Sequence, residues 1–289
     1  MEKCKINGNT KILAIFGDPV GHTLSPAMYN AAFEHLGWNC RYIPCHVTPE
    51  NLADALRGIK ALNFVGANMT IPHKQSVIPL LDEIFGDSVK SGSVNTVIHR
   101  NGRLCGTSTD GLGLVRSLKE EAGFEPCGKR VLILGAGGTT AAIVFSLIST
   151  GVKSIEILNR NLSKVALLQE SVRAKTGFEI KVHSLNDLEV IDFSSMDLII
   201  NTTSVGLTDD DTIIPGRFLM PHLFVYDVVY KKGGTRLLKE AETVGCKVLS
   251  GLSLLLYQGV ESFALWFETD PPINIMREVI LEGENKNVP

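Results

Sequence analysis

The stretch Val131-Leu132-Ile133-Leu134-Gly135-Ala136-Gly137-Gly138-Thr139-Thr140 leaves a chain few ways to fold. Four consecutive apolar residues suit a parallel strand covered on both faces. The glycines then allow a sharp turn, and a helix is expected from about Thr139. Such a helix points unpaired backbone N–H groups and the positive end of its dipole at the turn, where a phosphate fits. A side chain in the turn would hold the phosphates off the backbone, which is why glycine is needed. The spacing follows the dinucleotide-binding fingerprint with one departure: Gly135 and Gly137 fit, and Thr140 stands at the place of the third glycine. A tight strand-to-helix turn that binds nothing has the same local pattern, so the rest of the chain has to decide.

From Arg130 onward, strands are expected at 131–134, 154–158, 180–183, 198–201, 224–229 and 247–249, separated by helices or loops. Six strands are the complement of two mononucleotide-binding halves. Residues 131–152 carry no charge over a length able to cross a bilayer, but the glycine turn divides them into a short strand and a helix. The front half also alternates. Strands are expected at Lys11–Phe16, Arg41–Val47 and Phe64–Asn68, with a hairpin at Val94–His99 and Arg103–Gly106 around Arg100-Asn101-Gly102. Ser25-Pro26 starts one helix and Thr48-Pro49-Glu50 another. A helix from about Leu112 to Ala122 connects the halves, and Leu252–Phe267 and Pro271–Leu281 read as helices that return to the front half.

The expected fold class is therefore α/β with two domains. One is a discontinuous substrate domain with a mainly parallel sheet, residues 1–110 plus 250–289, and the other a Rossmann-like dinucleotide-binding domain, residues 111–249. Glu282–Pro289 reads as a loose tail.

A net charge of −3 with interspersed signs argues against nucleic acid or an anionic membrane as partner. The six cysteines form no C-x-x-C pair and the seven histidines no H-E-x-x-H, so no metal is expected. Scattered thiols, and a start at Met-Glu-Lys-Cys-Lys without an apolar core, favour the cytoplasm. Oligomeric state stays open, a homodimer included.

Lys74 falls just after an expected strand, in a loop opened by Pro72. A lysine there exchanges protons with substrate if burial lowers its pKa, although most lysines are simply solvated. Asp110 reads equally as the N-cap of the next helix. Company raises both: Asn68, Thr70, Lys74, Asn95 and Asp110 lie at or just beyond the ends of expected strands. In parallel sheets such ends share an edge where small ligands bind. Thr23 and Ser25, two hydroxyls at a helix N-terminus, suit a carboxylate, unless Ser25 is only a cap. His22 reads as structural, with no triad partner nearby in sequence.

For the cofactor, an acidic residue about 20 positions beyond the first glycine binds a ribose 2′-hydroxyl, and an arginine accepts a 2′-phosphate. Glu156 falls near that count but inside a strand, whereas Asn159 and Arg160 stand at its end. That favours NADP, the plain alternative for Arg160 being a surface-loop arginine.

Taken together, these pieces resemble the shikimate dehydrogenase family from about Ile12 to Met276. The matching stretches are Gly17-Asp18-Pro19 with His22-Thr23-Leu24-Ser25-Pro26, Gly66 through Lys74, Gly92-Ser93-Val94-Asn95-Thr96 and Thr109-Asp110-Gly111. They continue with Gly135 through Gly138, Asn159-Arg160, Asn201 through Leu207, Asp227-Val228-Val229-Tyr230 and Gly251 through Gln258.

The resemblance implies an enzyme interconverting 3-dehydroshikimate and shikimate with NADP(H). By position, Lys74 and Asp110 would be the catalytic pair. Thr23, Ser25 and Tyr230 would hold the substrate carboxylate, and Asn68, Thr70, Asn95 and Gln258 its hydroxyls. Gly135, Ala136, Gly137, Gly138 and Thr139 would hold the pyrophosphate. Asn159, Arg160, Asn161 and Lys164 would hold the adenosine phosphate, and Val228 and Gly251 the nicotinamide end.

The family usually has serine at Thr23, asparagine at Ser108, and glycine and methionine at Ser253 and Leu254. Asn161 and Lys164 replace the threonine and arginine common in members that prefer NADP. These departures bear on substrate range and cofactor strictness. The nearest rival is a quinate/shikimate dehydrogenase using NAD or NADP, and a more distant one a nucleotide-binding protein that kept the scaffold without the chemistry.

Overall fold

Val131 and Ile133 pack into one core and Leu132 and Leu134 into another, so a continuous apolar run is what a strand covered on both faces requires. The computed structural model describes residues 6–21 and 23–286. His22, the first five residues, which include Cys4, and residues 287–289 lie outside the described residues, and with them the structural reading of His22. The chain forms two units, one spanning Met1–Gly113 and Leu255–Pro289, the other Leu114–Leu254.

In the first unit the elements run β1 (Lys11–Gly17), α1 (Ser25–His35), β2 (Cys40–His46), α2 (Leu52–Ala61), β3 (Gly66–Met69) and α3 (His73–Ser76). They continue with β4 (Glu83–Ile84), α4 (Asp87–Ser91), β5 (Thr96–Arg100), β6 (Arg103–Thr107) and α5 (Asp110–Ala122), whose later turns belong to the second unit. The sheet order is β2-β1-β3-β5-β6-β4. β1 pairs in parallel with β2 and β3, and β4 with β6, while β5 is antiparallel to β3 and β6. Asn101 and Gly102 both have positive φ (53° and 73°) at the β5–β6 turn, as a two-residue hairpin demands.

Ala14, Phe16, Ala67 and Met69 pack with Leu52, Leu56 and Ile59 of α2. Tyr42 of β2 stacks on Tyr29 of α1, ring centroids 4.4 Å apart. Trp266 donates its indole N–H to Val97 O at 3.0 Å.

The second unit contains β7 (Arg130–Leu134), α6 (Gly138–Ser149), β8 (Ser154–Leu158), α7 (Leu162–Thr176), β9 (Ile180–His183), β10 (Leu198–Asn201), β11 (Phe224–Asp227), α8 (Arg236–Val244) and β12 (Lys247–Leu249). Its strands are all parallel, in the order β12-β11-β10-β7-β8-β9. That is the doubly wound order, with the reversal between β7 and β10 beside the glycine turn. α9 (Gly251–Phe267) and α10 (Ile273–Lys286) close the chain, α10 packing along α1. Among the described residues no helix is long and apolar enough to cross a membrane.

Several details differ from the sequence reading. The strand expected to reach 229 stops at Asp227, because the Asp227 carboxylate takes up the Val229 N–H at 3.0 Å. β4 has two residues, too few for periodicity to reveal. α10 runs on to Lys286, so residues 282–286 are helical rather than loose tail. Ser25 makes no side-chain cap: α1 is entered through Leu24, whose carbonyl accepts the Met28 N–H at 3.1 Å.

A Cβ at Gly66 would meet the Val97 carbonyl and lie 2.6 Å from Trp266 Nε1. Gly66→Ala should therefore destabilise the first unit by about 1–3 kcal/mol through overpacking, read as a lower urea midpoint; an unchanged midpoint would contradict the tight β3–β5–Trp266 packing.

Candidate active site

Antiparallel pairing brings the start of β5 and the end of β6 to the edge where β3 ends, since Asn68 pairs with Thr96 and Thr96 with Thr107. Asn68, Asn95 and Asp110 therefore meet, although they lie far apart in sequence. Lys74 joins them from α3. Its Nζ donates to Asp110 Oδ2 at 2.5 Å, with the two side chains only 17% and 4% exposed. Surface ion pairs are screened by water and contribute little; one this enclosed keeps its charges facing each other. Asp110 lies in the first turn of α5, not ahead of it, so its carboxylate also faces the positive end of the helix dipole.

Asn95 locks the other carboxylate oxygen. Its Nδ2 donates to Asp110 Oδ1 (2.8 Å), Thr109 Oγ1 (2.9 Å) and Gln258 Oε1 (3.2 Å), and its Oδ1 accepts from Thr109 N (2.8 Å). Asn68 is oriented just as firmly. Tyr42 Oη donates to Asn68 Oδ1 at 2.7 Å, while Asn68 Nδ2 donates to Asn95 O at 2.9 Å and reaches Thr96 Oγ1 and Ser262 Oγ. With both amide hydrogens engaged, Asn68 has an Oδ1 lone pair to offer and suits a ligand hydroxyl that donates. Burial pushes the Tyr42 and Tyr29 phenols up, so both stay neutral donors.

Thr23 and Ser25 form their own pair. Thr23 Oγ1 donates to Ser25 Oγ at 3.1 Å and accepts from Ser25 N at 3.2 Å. Thr70 lies just past β3, with its methyl against Gly17, where a Cβ would collide. Tyr230, the remaining expected substrate residue, belongs to the second unit, half-buried beyond β11.

Sequence reasoning missed Tyr42, Thr96, Thr109 and Ser262. Ser262 lies four residues after Gln258 on α9, hence on the same helix face, and its Oγ is 2.7 Å from Thr96 Oγ1 and 3.2 Å from Thr109 Oγ1. That spacing was the available signal. Of the positions that depart from the family pattern, Ser108 is buried with no partner for its hydroxyl among the described residues. Ser253 donates to Glu121 Oε2, and Leu254 enters the core of the second unit.

In the second unit, Gly135 has φ +114°, and a Cβ there would lie 2.6 Å from Thr202 Oγ1. The backbone lies open at Gly137, which is exposed with nothing near a would-be Cβ, just ahead of the α6 N-terminus. The first N–H groups of a helix have no intrahelical acceptor, so the turn has the chemistry a pyrophosphate needs.

Beyond β8, Arg160 and Lys164 are exposed, and Asn161 caps α7 by accepting the Lys164 N–H at 3.2 Å. Asn159 Nδ2 donates to Asn161 O at 2.8 Å, which shapes that turn. Glu156 lies within β8, bonded to His183 Nε2 at 2.5 Å, away from the strand end. Gly251 approaches the chain so closely that a Cβ would fall on the Val228 carbonyl.

Residues 15–97 match the family described as shikimate dehydrogenase substrate binding domain. Residues 118–208 match shikimate / quinate 5-dehydrogenase, and 251–281 the shikimate 5′-dehydrogenase C-terminal domain. The chain is 42% identical over 287 residues to the shikimate dehydrogenase (NADP(+)) of Methanothermobacter thermautotrophicus, covering 98% of this chain and 100% of that one. It is similar to a crystal structure of a shikimate dehydrogenase in complex with NADP+ (TM-score 0.92, 36% identity, covering 99% and 100%). It is also similar to the shikimate 5-dehydrogenase from Listeria monocytogenes in complex with shikimate and NAD (TM-score 0.88, 35% identity, covering 96% and 98%).

If the hydroxyl cluster is one network, Ser262→Ala should cost about 1–2 kcal/mol of stability. In a double-mutant cycle with Thr96→Val, urea unfolding should show a coupling of at least about 0.5 kcal/mol. Strictly additive losses would mean that Ser262 and Thr96 act independently.

Proposed function

The chain belongs to the shikimate dehydrogenase family, and we propose that it catalyses the reversible NADP-dependent reduction of 3-dehydroshikimate to shikimate, as a cytoplasmic step in making aromatic amino acids. The observation that carries this reading is the enclosed Lys74–Asp110 pair, 2.5 Å apart at the sheet edge, beside amides already oriented for hydroxyls. Thr23 and Ser25, with Tyr230, bind the substrate carboxylate. Asn68, Thr70, Asn95 and Gln258 bind ring hydroxyls, and a site built around such bonds strongly rejects analogues that lack them.

NADPH, when bound, supplies the hydride that reduces the ketone carbon. Negative charge then develops on the carbonyl oxygen. The Lys74 ammonium stabilises that charge and gives the oxygen a proton. Asp110 keeps the ammonium aimed, and Asn95 keeps Asp110 aimed. In the reverse direction Lys74 takes the hydroxyl proton. For the cofactor, Gly135, Ala136, Gly137, Gly138 and Thr139 receive the pyrophosphate, and Val228 and Gly251 the nicotinamide end. Asn159, Arg160, Asn161 and Lys164 form the adenosine side, where exposed Arg160 and Lys164 suit a 2′-phosphate. A cytoplasmic location is consistent with five described cysteines that are all free thiols.

A second reading, quinate/shikimate dehydrogenase using NAD or NADP, is favoured by one feature. Thr23 brings a methyl to the carboxylate-binding pair. Steady-state rates with shikimate and quinate, each with both cofactors, separate the two; a higher kcat/KM for quinate would overturn the first reading.

Lys74→Ala should lower kcat by roughly 100- to 10,000-fold with little change in KM, and near-normal turnover would remove Lys74 from the chemistry. Arg160→Ala should raise the KM for NADP far more than that for NAD; an equal change in both would show that the arginine does not read the 2′-phosphate.

A further inference from the structure

Asp227 is fully buried at the end of β11, opposite Asn201 at the end of β10. Its Oδ1 accepts from Asn201 Nδ2 (2.9 Å) and Val229 N (3.0 Å), and its Oδ2 from Thr235 Oγ1 (2.7 Å). The donor directions are fixed. Asn201 Oδ1 is occupied by Thr203 N (3.1 Å) and Thr203 Oγ1 (2.7 Å), which leaves its Nδ2 for Asp227. The Thr235 hydroxyl oxygen accepts the Leu238 N–H at 3.4 Å and so gives its own proton to Asp227.

One carboxylate thus fastens two loops. The first, beyond β10, continues into Thr202, which donates to Leu134 O at 2.6 Å and meets Thr140 Oγ1 at 2.7 Å; Thr140 in turn accepts the Gly137 N–H at 3.0 Å. The second loop carries Val228 and is pressed from the other side by Gly251, whose N–H reaches Val229 O at 3.3 Å. Burial raises the Asp227 pKa, with the three donors working against that rise. Desolvating a carboxylate is costly, and a fold needing only a strand end could use an apolar residue there.

We propose that Asp227 is a positioning residue for the cofactor: through Val229 it holds the nicotinamide-end loop, and through Asn201 it ties that loop to the glycine turn that takes the pyrophosphate. This rests on the NADP reading above. The dependence is selective. Losing Asp227 frees the Val228 loop, while the adenosine end beyond β8 keeps its own supports in Asn159 and the Asn161 cap.

The test is calorimetric titration of NADP and of adenosine 2′,5′-bisphosphate, which lacks the nicotinamide half, into the wild type and variants. Asp227→Ala should bind NADP at least about tenfold more weakly and adenosine 2′,5′-bisphosphate within about twofold of wild type, with kcat reduced even at saturating NADP. Asp227→Asn offers an oxygen to the two N–H donors and an amide to Thr235, and should stay within about threefold of wild type for both ligands. Thr235→Val keeps the side-chain shape but removes one of the three bonds to Asp227, and with it the cap on the Leu238 N–H at the start of α8. It should weaken NADP binding alone, and it serves as the readout should Asp227→Ala fail to fold.

Equal weakening of both ligands would show general loosening and overturn the proposal, as would undiminished NADP affinity in Asp227→Ala. A wild-type chain that does not bind NADP overturns the cofactor reading itself, a result distinct from variants that match a wild type which does bind.

Discussion

The ion pair between Lys74 and Asp110 exists because a sheet edge, a short helix and a helix N-terminus converge on it. Asp110 is nearly sealed from water, where an unpaired carboxylate would cost several kcal/mol. The fold answers with a full ammonium on one oxygen and an amide on the other. That amide belongs to Asn95, whose own oxygen is fixed by Thr109 N, so the aim of Asp110 is set by backbone, not by a mobile side chain. Sites placed on rigid elements hold their geometry more closely than sites on loops. Here the constraint and the chemistry coincide: the arrangement that satisfies a buried charge is also the one that presents a proton.

The same economy appears among the hydroxyls. Ser262, Thr96 and Thr109 lie within bonding distance of each other and of the two asparagines. None of the three needs to touch a ligand to matter. Thr96 and Ser262, together with the Asn95 carbonyl, consume the amide hydrogens of Asn68 on the protein side and leave its oxygen as the group on offer. A polar pocket of this kind is selective because its members have no slack: a ligand hydroxyl that donates finds a waiting lone pair, and an apolar edge leaves it unpaired at a cost of about 1–3 kcal/mol.

Much of this was legible in the residues and some was not, for definite reasons. The six strands of the second unit were readable because each carries apolar residues that one or both cores need, and the glycine turn fixed where the first one ends. Lys74, Asp110, Asn68 and Asn95 were readable as a group because strand ends in such sheets share an edge. Their actual bonds were not, since the β5–β6 hairpin and its antiparallel register set them. Ser25 was open to reading as a cap; the helix is entered one residue earlier, and its hydroxyl pairs with Thr23 instead. The end of β11 was misjudged by two residues because a buried carboxylate decides it, and sequence periodicity carries no trace of that tertiary bond.

Thr140 shows how a departure from a fingerprint can be built into the same function. The third glycine of the motif allows a helix to lie close against its strand, and Thr140 occupies that position fully buried. A bare hydroxyl there would be a liability. Instead it accepts the Gly137 N–H and meets the Thr202 hydroxyl, which is itself bonded to Leu134 O. Because Thr202 gives its proton to that carbonyl, the proton between the two threonines must come from Thr140, and every polar atom in the chain of bonds is satisfied. With the Gly135 N–H bonded to Leu158 O, two N–H groups of the glycine turn are engaged within the protein. An anion at this turn must be received by the first turn of α6, whose N–H groups have no acceptor of their own in the helix. The substitution thus trades some backbone freedom for a fastened turn, and it binds the start of α6 to the loop beyond β10 that Asn201 and Asp227 hold.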